Sequence, residues 1–177
     1  MGLDLKGGMN VTMEISLSEM VRNLANNSTD ANFNAAIKNA ELAIAQGDND
    51  FISAFGREFE KVSPNTRLAT LFATKENSAN LKVDADNTAV LNFLRKSADG
   101  AIDLSFNILR TRIDKFGVTQ PNIQKLGQTG RILVELPGAK DVDRIKKLLQ
   151  STAQLEFWET YEYNELFQGF ESANAYL

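Results

Sequence analysis

The segment AIDLSFNILRTRIDKFGVTQPNIQKLGQTGRILVELPG, residues 101–138, carries the clearest fold signal in the chain. Its first part predicts an amphipathic helix, because apolar residues recur at steps of four and three from Ile102 to Phe116 and form one stripe. Lys115 and Gly117 then supply a cation and a glycine suited to the end of a helix. The remainder predicts two short strands joined by a glycine-rich turn, which together form a β-hairpin.

Strand-like segments flank this region on both sides. Residues 9–15 alternate apolar and polar side chains, and this period of two predicts a half-buried strand. After the hairpin, Pro137 and Gly138 end the second strand, and Asp141 is placed to cap a short amphipathic helix. Residues 153–157 alternate again, which predicts a last strand.

Residues 16–97 predict a helical insertion. SLSEMVRNLANN, DANFNAAIKNAELAIAQG and DFISAFGREFEKV carry apolar residues at helical spacing, and the first begins with a capping box at Ser16. Gly47 is suited to follow the end of the second helix. RLATLFAT and NTAVLNFLRKSA are shorter helix candidates, and the stripe that begins at Ile102 predicts a further, separate helix.

With the insertion set aside, the elements run strand, helix, strand, strand, helix, strand. This order predicts an α+β, ferredoxin-like split β-α-β-β-α-β antiparallel sheet, with the helical insertion between the first strand and the first helix. We expect residues 1–15 and 98–160 to form the base subdomain and residues 16–97 to form the insertion. Residues 161–177 then begin a truncated C-terminal helix or linker.

The composition limits the possible chemistry. The chain has 177 residues, and 43% of them are hydrophobic, which is enough to bury a core. It has no cysteine and no histidine, so disulfides, thiolate zinc sites and imidazole-activated nucleophiles are excluded. The net charge is −4, whereas a nucleic-acid surface requires a basic stripe. Any catalysis would therefore rest on carboxylates, lysine or tyrosine or on a borrowed cofactor, and we predict no enzyme, no cofactor, no metal and no nucleic-acid partner.

Several motifs admit two interpretations. The glycines of GLDLKGG, residues 2–8, resemble a phosphate-binding loop, but they precede a strand, which favours a tight turn or bulge. Arg110, Arg112 and Lys115 form either a grip for an acidic partner or a solvated helix flank. The 11 phenylalanines form either a groove for an unfolded chain or a core, and their helical spacing favours the core.

No stretch approaches the roughly 20 apolar residues that cross a bilayer, so we expect a soluble chain. The GLDLKGG motif begins within two residues of the start of the chain. Helical spacing of apolar residues also continues to Leu177. We therefore expect a piece of a longer protein.

Three motifs carry a resemblance to a known family: GLDLKGG ahead of a strand, RTRIDKFGVTQPNIQKLGQTGRILVELPG, and STAQLEFWE. Together they resemble the SecD family, or the SecD half of a fused SecDF, of the bacterial protein-export translocon. The positions that match the family are Gly2, Leu3, Asp4, Leu5, Gly7 and Gly8 in the first motif, Arg110, Arg112, Gly117, Val118, Pro121, Ile123, Gln124, Gly127, Arg131, Ile132, Val134, Leu136, Pro137 and Gly138 in the second, and Thr152, Ala153, Leu155, Glu156 and Phe157 in the third.

The resemblance implies a membrane protein that assists preprotein export with the energy of the proton gradient. Its partners would be SecF, the SecYEG channel and the unfolded preprotein. This chain would be the ferredoxin-like base of the first periplasmic domain, on the periplasmic side of the bacterial inner membrane, and GLDLKGG would be its tether to the membrane. The resemblance does not extend to the insertion.

Two other classes of function stay open at this point. A ferredoxin-like domain can bind a small effector, as regulatory modules do. A carboxylate-based enzyme is the third class, although Asp141 and Asp143 fit a helix N-terminus, and Glu156 and Glu159 fit an outward strand face.

Overall fold

The computed structural model describes residues 7–115, 120–126, 129–139 and 141–151. Within these ranges the chain forms three strands and six helices. In chain order the elements are β1 (Gly8–Glu14), α1 (Leu17–Leu24), α2 (Ala31–Ala45), α3 (Phe51–Val62), α4 (Ala69–Phe72), α5 (Asn87–Lys115), β2 (Asn122–Lys125), β3 (Arg131–Pro137) and α6 (Val142–Gln150).

The three strands form one antiparallel sheet in the order β1-β3-β2. Val134 in the central strand pairs with Val11 on one side and with Ile123 on the other. β1 and β2 are therefore parallel to each other, with β3 inserted between them, which is the order expected within a split β-α-β unit. An α+β architecture is confirmed, while the predicted fourth strand, residues 153–157, lies outside the described residues.

Two helices cover one face of the sheet. The alternation of β1 and β3 turns their apolar side chains to the same side, so that they pack beneath α5 and α6. Leu109 and Ile113 of α5 are buried in this core, and both belong to the apolar stripe predicted from the sequence. The buried residues of this sheet core are Met9, Leu109, Ile113, Ile132, Val134, Leu136, Ile145 and Leu149.

The insertion has a second hydrophobic core, formed by α1 to α4 and the first half of α5. Phe33 lies at its centre, with ring centroids 5.8 Å from Phe55 and 6.0 Å from Phe72, in edge-to-face geometry. Phe33, Phe55, Phe59 and Phe72 are at most 1% exposed. Core packing is therefore confirmed for these rings, and the alternative of a phenylalanine groove is wrong for them.

The helices begin where side chains satisfy their first backbone N–H groups. Ser16, as predicted, accepts from the N–H of Glu19 at 3.2 Å, and Asp141 accepts from the N–H of Arg144 at 3.0 Å. Asp30 and Asp50 cap α2 and α3 in the same way. At the other end of α2, Gly47 has φ +106°, in the left-handed region that the sequence assigned to it.

One helix differs from the sequence prediction. The two separate helices expected around residues 87–98 and 102–116 are a single helix, α5, of 29 residues. Gly100 does not break it, because each half is held in a different core: Val90 and Leu94 pack in the insertion, and Leu109 packs under the sheet. This packing outweighs the cost of about 1 kcal/mol for a glycine inside a helix. The proposed domain boundary at residues 97–98 falls inside this continuous helix.

Candidate functional site

Two of the sequence motifs meet at one end of the sheet. Gly8 is paired with Pro137 across β1 and β3, and the N–H of Gly138 donates to the carbonyl oxygen of Gly7 at 2.9 Å. Gly7 has φ +66° and Gly138 has φ +74°, which are left-handed conformations that glycine adopts without strain. The chain therefore turns sharply where it enters β1 and where it leaves β3.

Arg112, near the start of the second motif, has a structural role. Its guanidinium reaches from α5 to the last turn of α6 and donates to the carbonyl oxygens of Leu148 at 3.2 Å and Leu149 at 3.0 Å. These carbonyls have no partner within the helix; the hydroxyl of Ser151 also donates to that of Leu148, at 2.8 Å. The guanidinium completes the pairing at the helix end and complements the helix dipole. Arg110 and Lys115 are exposed on the same helix. The structure therefore separates the three residues of the predicted grip for an acidic partner: Arg112 contacts α6, whereas Arg110 and Lys115 are exposed.

The other family-motif residues have separate positions. Nε of Arg131 lies 3.1 Å from Oε2 of Glu14, its partner across the sheet. Pro121 precedes β2 and follows Gln120, which has a positive φ of 58°. Gly2, Leu3, Asp4, Gly117 and Gly127 lie outside the described residues.

The second face of the sheet is mostly polar; its side chains are exposed on β1 and β2 and half-buried at Leu133 and Glu135 of β3. Glu135 lies in its central strand, between Asn10 and Asn122, and accepts from both amides, at 3.4 Å and 2.7 Å. Thr12 and Gln124 flank Leu133 in the next row. The alternation in the sequence predicts which residues face outward. The register of the strands determines which of these residues lie side by side across the sheet.

β2 forms one edge of this sheet. It has four residues, and no strand in the described part of the chain pairs with its outer side. Lys125 is held against α5, where its Nζ lies 5.1 Å above the ring centroid of Phe106 and pairs with Asp103. An open strand edge can accept an extended peptide through backbone hydrogen bonds.

A cleft of about 650 Å³ lies where the sheet meets the insertion. One wall is formed by the end of β1 and the start of β3, with Glu14 and Arg131. The opposite wall is formed by the end of α2 and the turn into α3, with Glu41, Ile44 and Asp48. Its volume is within the range of about 300–1,000 Å³ that is usual for binding pockets.

The carboxyl group of Asp48, in the lining of this cleft, has a lowered pKa. The backbone N–H of Asp50 donates to its carboxylate at 3.1 Å, and this bond is the main cause that holds the pKa of Asp48 below its ordinary value of 3.8. The guanidinium of Arg57 pairs with the same carboxylate and lowers the pKa further. Asp48 therefore stays charged to a lower pH than an ordinary aspartate does.

The described part of the chain contains neither a metal site nor a membrane-spanning helix. Across residues 7–151, apart from the gaps in the description, the acidic side chains form no group of three that could hold a metal ion. Among the helices that the structure describes, none combines the length and hydropathy that crossing a membrane demands.

The fold defines an α+β domain with two helices on one face of an antiparallel sheet and a helical insertion after the first strand. Residues 102–162 match the family model described as "Protein translocase subunit SecDF, P1 domain, N-terminal". The chain belongs to the SecD family of protein translocase subunits.

Curated relatives support this assignment over most of the chain, including part of residues 16–97, where the sequence motifs showed no resemblance. SecD of Rhodothermus marinus is 41% identical over 89% of the chain, SecD of Aquifex aeolicus is 30% identical over 88%, and SecD of Escherichia coli K12 is 29% identical over 89%. The aligned part is 25%, 31% and 26% of these relatives, so the chain spans about a quarter to a third of their length. No solved structure matches the chain.

Proposed function

We propose that this chain is the first part of the P1 domain of a SecD-type subunit, on the periplasmic side of the bacterial inner membrane. In this proposal it assists export of unfolded preproteins, driven by the proton gradient, together with SecF and the SecYEG channel. It acts by contact with the preprotein or a partner, without enzymatic chemistry. The observation that supports this most strongly is the 41% identity to SecD over 89% of the chain.

We propose that the base is a complete ferredoxin-like unit of residues 1–15 and 98–160, with residues 16–97 as the insertion. The order β1-β3-β2 leaves the outer side of β1 unpaired among the described strands. The split plan places its last strand on that side, and residues 153–157 have the required alternation. Residues 161–177 then begin the following helix or linker.

In this arrangement the outer edge of β2 contacts the preprotein. Backbone pairing reads an extended chain without demanding a particular sequence, which suits a subunit that handles many substrates. Asn122 and Gln124 are exposed at this edge. Since the last strand would cover the edge of β1, β2 provides the edge that stays open.

One observation favours a second candidate function, a regulatory domain that binds a small effector. The cleft of about 650 Å³ is large enough for such a ligand. A metabolite that binds the native state raises the melting temperature, so a thermal-shift screen separates this function from preprotein contact.

A chimaera tests the translocase proposal. The aligned segment of Escherichia coli SecD, 29% identical to the chain, is replaced by this chain in cells depleted of their own SecD. We expect restored export of a secretory protein. The matched control carries the Rhodothermus marinus segment instead. Normal export by that control, with no export by a chimaera that accumulates to the same level in the membrane, would overturn the proposal.

Cross-linking in the same chimaera tests the contact site. A photoreactive residue at Gln124 should form an adduct with a preprotein arrested during export. One at Lys96, exposed on α5, should not. Equal labelling at the two positions would contradict a specific contact at β2.

A further inference from the structure

The cleft between the sheet and the insertion is built from two structural units. Glu14 ends the first strand, whereas Glu41 and Ile44 lie in the last turns of α2. Because the two cores are separate, the cleft is a feature of their junction and of neither unit alone. A ligand in it would contact both units.

The end of α2 gives the cleft a negative potential. α2 has 15 residues, and its last turn, as the structure shows, contains no basic side chain. The carbonyl end of a helix carries about half a negative charge, which a cation stabilises. Glu41 adds a full charge close to that end, whereas the carboxylate of Asp48 is paired with Arg57.

Two arginines beside the cleft are already engaged. Arg131 lines it and is paired with Glu14, and Arg57 is paired with Asp48. Glu41 is exposed and makes no ion pair with any residue that the structure describes. The last carbonyls of α2 accept from the N–H groups of Gln46, Gly47 and Asp48, so the carboxylate of Glu41 is left for a cation supplied from outside.

The remaining lining combines polar side chains, Ser16, Ser18, Asn49 and Thr129, with an apolar part. Leu17 and Phe51 are each 7% exposed and form the edge of the insertion core, and Ile15 and Ile44 stand beside them. A hydrated metal ion or a polyamine would cover this surface poorly. A ligand that fits both parts therefore combines a cation with an apolar group, as a lysine or arginine beside a leucine does in an extended peptide.

We infer that this cleft binds a lysine or arginine side chain of an extended polypeptide, with an adjacent apolar side chain on Ile44 and Phe51. The inference rests on the proposed function for the source of that polypeptide, which is the exported chain. The cleft is then a second contact with the exported chain, besides the β2 edge. It selects segments with basic and apolar side chains, whereas the β2 edge binds an extended chain of any sequence.

Titration of the isotope-labelled 177-residue chain with short blocked peptides tests the cleft. We use Ala-Leu-Lys-Leu-Ala, the same peptide with glutamate in place of lysine, the same peptide with glycine in place of both leucines, and spermidine. The first should shift the amide signals of residues 14–17 and 41–51, and the other three should bind more weakly. Equal shifts from the glutamate peptide, or tighter binding of spermidine, would overturn the inference.

Variants separate the cleft from other surfaces. Glu41→Gln should weaken binding of the lysine peptide about twofold to fivefold, as loss of a partly exposed ion pair does. Glu60→Gln, an equally conservative change at an exposed position of α3, should leave it unchanged. Ala45→Lys places a cation at the end of α2 and should compete with the peptide. Unaltered affinity in both Glu41→Gln and Ala45→Lys would also overturn the inference.

The outcomes distinguish this inference from the proposed function. If the peptide shifts only the signals of residues 122–126 and the chimaera supports export, peptide binding in the cleft is contradicted and the translocase function is supported. If the peptide shifts the signals of the cleft residues and the chimaera fails to export, peptide binding in the cleft is supported and the translocase function is contradicted.

Discussion

The guanidinium of Arg112 lies 3.0 Å from the carbonyl oxygen of Leu149 and joins the two helices that cover the sheet. It belongs to α5, and Leu149 belongs to the last turn of α6. The contact ties together elements that are 37 residues apart in the chain, beneath a sheet of three described strands. Arg112 therefore stabilises the packing of α5 against α6.

Arg112→Met should lower the free energy of unfolding by about 1–2 kcal/mol, because it removes a charged donor from carbonyls at a helix end while it keeps an apolar stem. Urea denaturation followed by circular dichroism measures the change. Arg110→Met is the matched control, and since Arg110 is exposed two residues away, it should change stability by less than about 0.5 kcal/mol. Equal effects of the two substitutions would contradict this role.

Gly130→Ala should destabilise the chain by about 1–3 kcal/mol. Gly130 has φ +74°, and a Cβ there would lie 3.0 Å from the carbonyl oxygen of Ile15 and 3.4 Å from Leu17. The cost thus combines backbone strain with a close approach at the junction of the two cores. The midpoint of urea denaturation should fall, and an unchanged midpoint would contradict the close approach.

Gly100→Ala should have the opposite effect, a stabilisation of about 0.5–1 kcal/mol. Gly100 lies inside α5, and nothing lies within 4 Å of a Cβ built there. The same chemical change is therefore expected to stabilise at one glycine and destabilise at the other. A lower midpoint for Gly100→Ala would indicate that α5 needs flexibility at this position or is broken there.

Local signals explain why much of the fold was predictable. Ser16 and Asp141 cap helices through bonds to residues three positions ahead, and such short-range contacts can be identified directly from the sequence. The strict alternation of β1 and β3 likewise determines which side chains face the helices. The order of the strands follows from the connections, because a hairpin places β3 beside β2 and a split unit inserts it next to β1.

Features that depend on distant parts of the chain were not predictable. The continuity of α5 through Gly100 depends on two separate cores that hold its ends. The cleft combines Glu14 with Glu41 and Arg131, which only the folded chain brings together. The family motif identified Gly7 and Gly138, but their hydrogen bond required the register of β1 and β3.

Asn77 is a further residue that the sequence did not single out, within a polar run that predicts a loop. It is 8% exposed, and its amide donates to the carbonyl oxygens of Leu24 at 2.8 Å and Phe72 at 2.9 Å. Asn77→Ala should cost about 2 kcal/mol, because both carbonyls lose their donor. Asn80→Ala, an exposed position in the same loop, is the control and should cost less than about 0.5 kcal/mol. Similar denaturation midpoints for the two variants would show that water replaces the amide.

Asp48 makes stability depend on acidic pH. Its pKa in the folded chain is held below the ordinary value of 3.8, first by the N–H of Asp50 and then by Arg57. As the pH falls, the unfolded chain takes up this proton before the folded chain does. The stabilising contribution is therefore complete above the unfolded-state pKa and is lost as the pH falls through the folded-state pKa.

Asp48→Asn should remove this part of the pH dependence. We expect the free energy of unfolding of the original chain to decline more steeply than that of Asp48→Asn as the pH is lowered from about 5 to about 3, measured by urea denaturation at each pH. Arg57→Met, which removes the second cause and leaves the backbone donor, should give an intermediate slope. Parallel curves for the original chain and Asp48→Asn would show that the carboxylate has the same pKa in the folded and unfolded states. In that case the turn from α2 to α3 would not lower the pKa of Asp48.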